Sequence, residues 1–426
     1  MKKRLLRAGY TTVCLLLATI LLASCGQGSS PTTGSETPKT SGTTSKENTA
    51  AGQEVVLPIG VSLNLTGTNA NLSIEVSRAA EMAVAKVNAT GIKVGDTVYK
   101  FRLIADDDAG DPSKAVTVLN KQLYTDKVNY LFTFSSVTTL ATLPTVDKSP
   151  NVLQFALTNS KDAIGPTHTQ TFRLTQTPAE IAGPWVSWVS KNRPQVKTVY
   201  TLATDNAGIQ AGVAAYNKAF AAYGLKVVGD QTFQTSTTDF YTIIDKVLAA
   251  NPDAVSIPGS VPGPAIISQL REKGYKGQIW SQTGLDPNVF KTVGAAGMEG
   301  VMGIEMDPAS PLVPSGIAQF LKDFQAKYNT APSPFSTEFY SYPFVLASAI
   351  TKAQSTDASK LIKVMETQPL DSPWGPISFG GQGFYGINRQ AYTPAFVSEA
   401  KGGKHTVLAA ISPADMVDSQ KQLYGN

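Results

Sequence analysis

Two cysteines, two histidines and four tryptophans are all that this chain of 426 residues holds of those types, and each scarcity closes a class of chemistry. Cys14 and Cys25 both lie near the N-terminus, so the remaining 401 positions offer no thiol. That excludes a disulfide framework, a cysteine nucleophile and a thiolate metal site over the bulk of the chain, which must be held by its own core. His168 and His405 are far apart, and neither has a second ligand at metal-like spacing. Both read as isolated, exposed histidines. There is no P-loop, no nucleophile elbow and no glycine-rich dinucleotide fingerprint, so the chain is read as a non-enzyme without a cofactor or metal. Long apolar runs are missing too. The run at residues 13–23 would rise only about 16 Å as a helix, short of the roughly 20 residues that cross a bilayer.

That run follows Lys2, Lys3, Arg4 and Arg7, the layout of an export signal over residues 1–24. The segment "LASC" (Leu22, Ala23, Ser24, Cys25) resembles the lipobox of bacterial lipoproteins, in which the peptide before the cysteine is cut and its thiol carries a diacylglycerol. Cys25 would then be the lipidated N-terminus; the alternative is an ordinary secretory signal with an accidental cysteine. Removing the four signal cations leaves 32 Lys and Arg against 32 Asp and Glu. No basic stripe survives, which argues against nucleic acid as a partner. Residues 26–53 carry twelve Ser or Thr, five Gly and two Pro with no apolar periodicity. Residues 25–54 are therefore expected to form a lipidated, disordered tether of roughly 30 Å reach, holding an exported protein at the membrane, facing the periplasm or the exterior.

From Val55 short apolar runs alternate with amphipathic segments. Residues 55–63 read as a buried strand. Leu72, Val76, Ala79, Ala80, Ala83 and Val87 then fall at helical spacing, with Glu75, Arg78 and Glu81 on the opposite face. The pattern repeats through strands near 100–105, 130–134 and 152–155, with helices from Pro112 and Ser136. A second series begins at 198–203. Its helix carries Ile209, Val213, Tyr216, Phe220 and Tyr223 and stops at Gly224, and strands follow near Val227, 254–257 and 278–280. Alternating strand and helix requires right-handed crossovers and parallel sheets, and two series imply two α/β lobes. Ligands of such sheets bind beyond the carboxyl ends of the strands.

The acidic run Asp106, Asp107, Asp108 with Asp111 could hold a divalent cation. Turn and cap duty fits better, because Asp111-Pro112 supplies an N-cap and a first-turn proline. The stretches "PIGVSLNLTG" (58–67), "DDAGDPSKAV" (107–116), "FSSVTTLA" (134–141) and "TDFYTIIDKVLAANPDAV" (238–255) together resemble the type I periplasmic substrate-binding proteins of ABC importers, in the branched-chain amino acid (Leu/Ile/Val) group. The resemblance implies two parallel-sheet α/β lobes joined by three crossovers, near 175–177, 305–307 and Tyr392. The first lobe would take 55–175 and 307–391, the second 176–306 and 392–426.

Ser135 and Ser136 follow a strand and precede a helix, so hydroxyls and free helix N–H groups can hold a carboxylate without a cation. The resemblance assigns ligand contact to these serines and to "ALTN", with Ala156 and Thr158. It carries further contacts onto Asn71 and Leu72 in the first lobe and Ala207, Ser260 and Thr283 in the second. Thr283 stands where the family presents a glutamate to the ligand's ammonium, and Ala207 or Gly208 where it has a tyrosine. The expected ligand is thus a small carboxylate: an amino acid, or an aliphatic or aromatic acid without the amino group. The implied function is solute capture for an ABC permease by a lipid-anchored monomer, with a lipid-anchored ligand sensor as the alternative. Tyr340, Tyr342 and Trp374 read as core rather than cleft.

Overall fold

The computed structural model of the chain describes residues 53–67, 70–205, 207–259, 262–281 and 287–425. The first stretch alternates β1 (Gln53–Leu63), α1 (Ala70–Thr90), β2 (Ile92–Val94), β3 (Thr97–Asp107), α2 (Pro112–Tyr124), β4 (Tyr130–Phe134), α3 (Ser136–Val146), β5 (Leu153–Leu157) and β6 (Thr171–Phe172). The second runs α4 (Pro178–Asn192), β7 (Thr198–Thr204), α5 (Ala207–Ala222), β8 (Lys226–Phe233), α6 (Tyr241–Ala250), β9 (Ala254–Ile257), α7 (Gly263–Glu272), β10 (Gln278–Ser281), α8 (Pro287–Val293), α9 (Ala295–Met298) and β11 (Val301–Gly303). A third holds α10 (Ser315–Tyr328), α11 (Pro334–Ala353), α12 (Ala358–Thr367), β12 (Phe379–Gly380), α13 (Gln382–Tyr385) and β13 (Gln390–Ala391). The chain closes with β14 (Ala395–Lys401), β15 (Lys404–Ile411) and α14 (Pro413–Tyr424).

Two large sheets result, in the orders β2-β3-β1-β4-β5-β6 and β15-β14-β11-β10-β9-β7-β8. The inner pairs are parallel, as helical crossovers demand. Antiparallel edges add to them: β2 on β3, and β14 with β15 on β11. The β14–β15 hairpin turns through Gly402 and Gly403, both at positive φ (58° and 81°), the requirement of a two-residue turn whose twist matches the strands.

The helical stripe of α1 is buried as its spacing predicts: Val76, Ala79, Ala80 and Ala83 are fully covered. Its opposite face is less open than the charges suggested. Glu75 accepts from Ser333 N (2.5 Å) and from Ser336 Oγ, and the Arg78 guanidinium sits 4.7 Å from the Tyr328 ring centre. Helices α10 and α11, more than 200 residues downstream, cover it. Tyr342 stacks on Phe155 (5.2 Å between ring centres) and Tyr340 on Phe320 (4.0 Å), so both tyrosines are core. Trp374 is half-buried against the same cluster. Each such ring contributes about 1.5–3 kcal/mol by leaving water.

Three passages join the sheets, within residues 173–177, 304–314 and 392–394. The first lies beside β13 and the third: Arg173 N donates to Arg389 O (2.9 Å), Ala391 N to Arg173 O (2.8 Å), Gln390 Nε2 to Thr175 O (3.0 Å) and Gln176 Nε2 to Thr393 O (3.0 Å). Beside them a polar cluster is sealed from water. Arg173 donates to Gln390 Oε1 (2.6 Å), Ser160 O (2.7 Å) and Tyr385 Oη (2.6 Å). Glu180 accepts from Thr177 N and Oγ1 (2.6 Å each), Gln420 Nε2 (3.0 Å) and Tyr385 Oη. Buried polar groups persist when every partner is supplied, and here those partners come from both sheets' segments.

Candidate functional site

The carboxyl ends of β4 and β5 carry the most unusual backbone of the first sheet. Ser135 sits between β4 and α3 at φ 82°, ψ 150°, a region that favours glycine and costs a residue with a Cβ about 1–3 kcal/mol. Its amide donates to Leu157 O (3.1 Å), which ties it to the end of β5. Its hydroxyl caps α3 through Thr138 N (3.5 Å) and lies 2.9 Å from Thr138 Oγ1. Thr138 N is thereby satisfied and Thr139 N donates to the Ser135 carbonyl oxygen (3.2 Å), while Ser136 N and Val137 N have no partner among the described residues. They are open donors at the positive end of the helix dipole.

Thr158, buried just past β5, reaches the same spot: its Oγ1 donates to Ser136 Oγ (2.9 Å) and accepts from Ser160 N (3.0 Å). Ala156 is buried within β5. The structure thus brings Ser135, Ser136 and Thr158 together around two free amides. Both Ser135 and Thr158 also serve local structure, so their hydroxyls are not idle in the empty protein. At the start of α1, Asn71 is exposed and Leu72 packs partly against the core. Two apolar side chains stand open on α1 and α3, Ile74 (38% exposed) and Val137 (58%). An apolar residue on the polar side of a helical pattern was their available signal in the sequence.

The acidic run does not assemble as a metal site. Asp108 is buried and accepts from Ser62 Oγ (2.6 Å), Asn64 Nδ2 (2.5 Å) and Gly110 N (2.9 Å). Asp106 pairs with Lys121 (2.9 Å), and Asp111 caps α2 through Ser113 N and Lys114 N. Burial works to raise the Asp107 carboxyl, but hydrogen bonds from Thr66 and Ala109 outweigh it and hold the group below its usual range. No cluster of three or more metal-ligating side chains occurs among the described residues. The histidines are isolated but not exposed, contrary to expectation: His168 Nδ1 is 2.8 Å from Asp147 Oδ2, and His405 Nε2 is 2.9 Å from Met306 O. Each is a half-buried strut between segments distant in sequence, which sequence spacing does not reveal.

Of the second-sheet candidates, Ala207 opens α5 directly after β7. Ser260 and Thr283 lie outside the described residues, as do Cys25 and the signal and tether through residue 52. The described strands end at Ile257 and Ser281 immediately before those two positions. The buried Ser281 hydroxyl has no hydrogen-bond partner among the described residues.

The profile of a family described as "Periplasmic binding protein" matches residues 56–404. An "Amino acid binding protein" of Pseudomonas aeruginosa is 27% identical over 338 residues, covering 74% of this chain and 84% of the relative. Among solved structures, a leucine binding protein of Thermotoga maritima superposes with a TM-score of 0.69 at 21% identity, over 84% of this chain and 99% of its own. A solute binding protein of an ABC transporter from R. palustris, in complex with benzoate, matches with a TM-score of 0.69 at 19% identity, over 84% and 97% of the two chains.

Proposed function

The chain belongs to the periplasmic binding protein family, and we propose that it captures a small carboxylate-bearing solute outside the cytoplasmic membrane and delivers it to an ABC permease. Its relatives are solute-binding proteins of the amino acid group rather than enzymes, and no described helix is long and apolar enough to cross a membrane. The observation that carries the reading is Ser135. A strained, hydroxyl-bearing residue at the junction of β4 and α3 holds the helix so that Ser136 N and Val137 N are free, and strain of this kind persists where the surroundings over-determine it.

The ligand carboxylate is held by those amides with the Ser135, Ser136 and Thr158 hydroxyls, from a first lobe of residues 55–175 and 307–391. The second lobe, 176–306 and 392–426, closes over it with Ala207, Ser260 and Thr283, and Ile74, Val137, Asn71 and Leu72 border the ligand's side chain. Cys25 anchors the protein by its lipid.

A thermal-shift screen of the purified protein with amino acids, aliphatic acids, aromatic acids and small amides tests the reading. A ligand at a hundred times its Kd adds about 2.7 kcal/mol of stability. A melting-temperature rise confined to carboxylates supports the proposal. Shifts with amides but with no carboxylate would refute it.

A further inference from the structure

Glu338, in the second turn of α11, is an acid the family resemblance did not bring to notice. Its Oε2 accepts from Thr175 Oγ1 in the first passage between the sheets, and its Oε1 has no hydrogen-bond partner among the described residues. None of the ion pairs among those residues involves it. The nearby cation, Arg173, has its Nε and both terminal nitrogens engaged by Gln390, Ser160 O and Tyr385, and its ion-pair contact at 3.9 Å is with Glu180.

The neighbourhood is that of the carboxylate site. Phe339, next in sequence, packs edge-on against Phe134 with ring centres 6.4 Å apart, and Phe134 immediately precedes Ser135. Arg173 holds Ser160 O, while Ser160 N holds Thr158 Oγ1. An acid without a cation therefore stands where the passages between the sheets meet the ends of β4 and β5. Glu338 is half-buried, and an ammonium held there would give it the counter-charge it lacks.

We propose that Glu338 receives the amino group of the solute, so that the site selects an amino acid over the matching acid that lacks the amino group. This rests on the solute-binding reading above and answers the absence of a glutamate at Thr283. The charged and titratable groups around Glu338 are Arg173 on the passage, with Glu180 and Tyr385 behind it, and Tyr342 one turn along α11. Burial is the largest influence on the Glu338 carboxyl and pushes it up to about 8, against the opposing effects of Thr175 and Arg173. In the empty protein at pH 7 the group thus carries a proton, and an arriving ammonium displaces that proton to solvent. With the carboxyl raised to about 8, half a proton or more should leave per ligand bound at pH 7.

Calorimetry on the full chain with leucine and phenylalanine, each beside its des-amino analogue (4-methylpentanoate, 3-phenylpropanoate), tests this. At least one amino acid should bind a hundredfold or more tighter than its analogue. The binding enthalpy, compared between phosphate and Tris at pH 7, should report a net release of protons on binding the amino acid. Glu338→Gln should weaken the amino acid at least tenfold, abolish the proton release and leave the analogue's affinity within threefold. The proton count on the unmutated protein stands even if the variant folds poorly. Equal affinity for amino acid and analogue, no proton release, or full retention of both by Glu338→Gln would overturn the role of Glu338 while leaving carboxylate capture intact. Failure of every carboxylate to bind the unmutated protein would overturn both.

Discussion

Replacing Arg173 with methionine keeps much of the side-chain volume and removes a buried guanidinium that joins the first passage between the sheets to β13. Three hydrogen bonds of 2.6–2.7 Å are lost, to Gln390 Oε1, Ser160 O and Tyr385 Oη, and the fully buried Glu180 loses its ion-pair contact with Arg173, at 3.9 Å. Removing one member of a buried charged set costs about 3–5 kcal/mol. The four donors that Glu180 keeps, from Thr177, Gln420 and Tyr385, place the expected loss toward the lower part of that range. A folded part of roughly 370 residues has an unfolding entropy of about 0.8 kcal/mol per kelvin, so the melting temperature should fall by about 4–5 °C. Differential scanning calorimetry reads this directly, and urea titration gives the free energy independently. Arg193→Met is the matched control: its pair with Glu399, 3.0 Å apart, keeps both side chains partly exposed at 24% and 19% and should cost less than about 1 kcal/mol. If Arg173→Met lost no more than Arg193→Met, the buried cluster would not be what holds the passages together.

Ser135→Gly should move stability and binding in opposite directions. Relief of the positive φ stabilises the empty protein by about 1 kcal/mol after the glycine's own entropy is counted, while carboxylate affinity falls about tenfold with the lost hydroxyl; a destabilised variant with unchanged binding would refute the assignment. Thr158→Ala should lose affinity by ten- to a hundredfold and, because its hydroxyl also bonds Ser136 and Ser160, about 1 kcal/mol of stability in urea titration. Cys25→Ser should shift the protein from detergent-extracted membranes to the soluble fraction; unchanged partitioning would rule out the lipid anchor.

Much of the architecture was legible because period and punctuation are local. The stripe from Val76 to Val87, the Asp111-Pro112 cap and the apolar strands 130–134 and 254–257 each announce their element within a dozen residues, and their alternation implies parallel sheets. The hydroxyls of Ser135 and Ser136 between a strand and a helix were legible in the same way, whereas Thr158 was pointed to by the family resemblance. The β14–β15 edge had only its Gly-Gly turn as a signal, and nothing local says which sheet it joins.

Residue type, spacing and chain order were enough for the α/β class, for the scarcity of catalytic groups and for hydroxyls at strand ends, because these follow from short-range sterics and from the periodicity of helix and strand. Pairings across more than 150 residues had to wait for the folded chain. Glu75 with Ser333, Thr175 with Glu338 and Arg173 with Gln390 and Tyr385 are set by which elements pack together. A carboxyl group's charge and partners depend on that packing: burial with one hydroxyl donor pushes Glu338 up to about 8, while Asp107, another acid in the same sequence, is held low by the loop that wraps it.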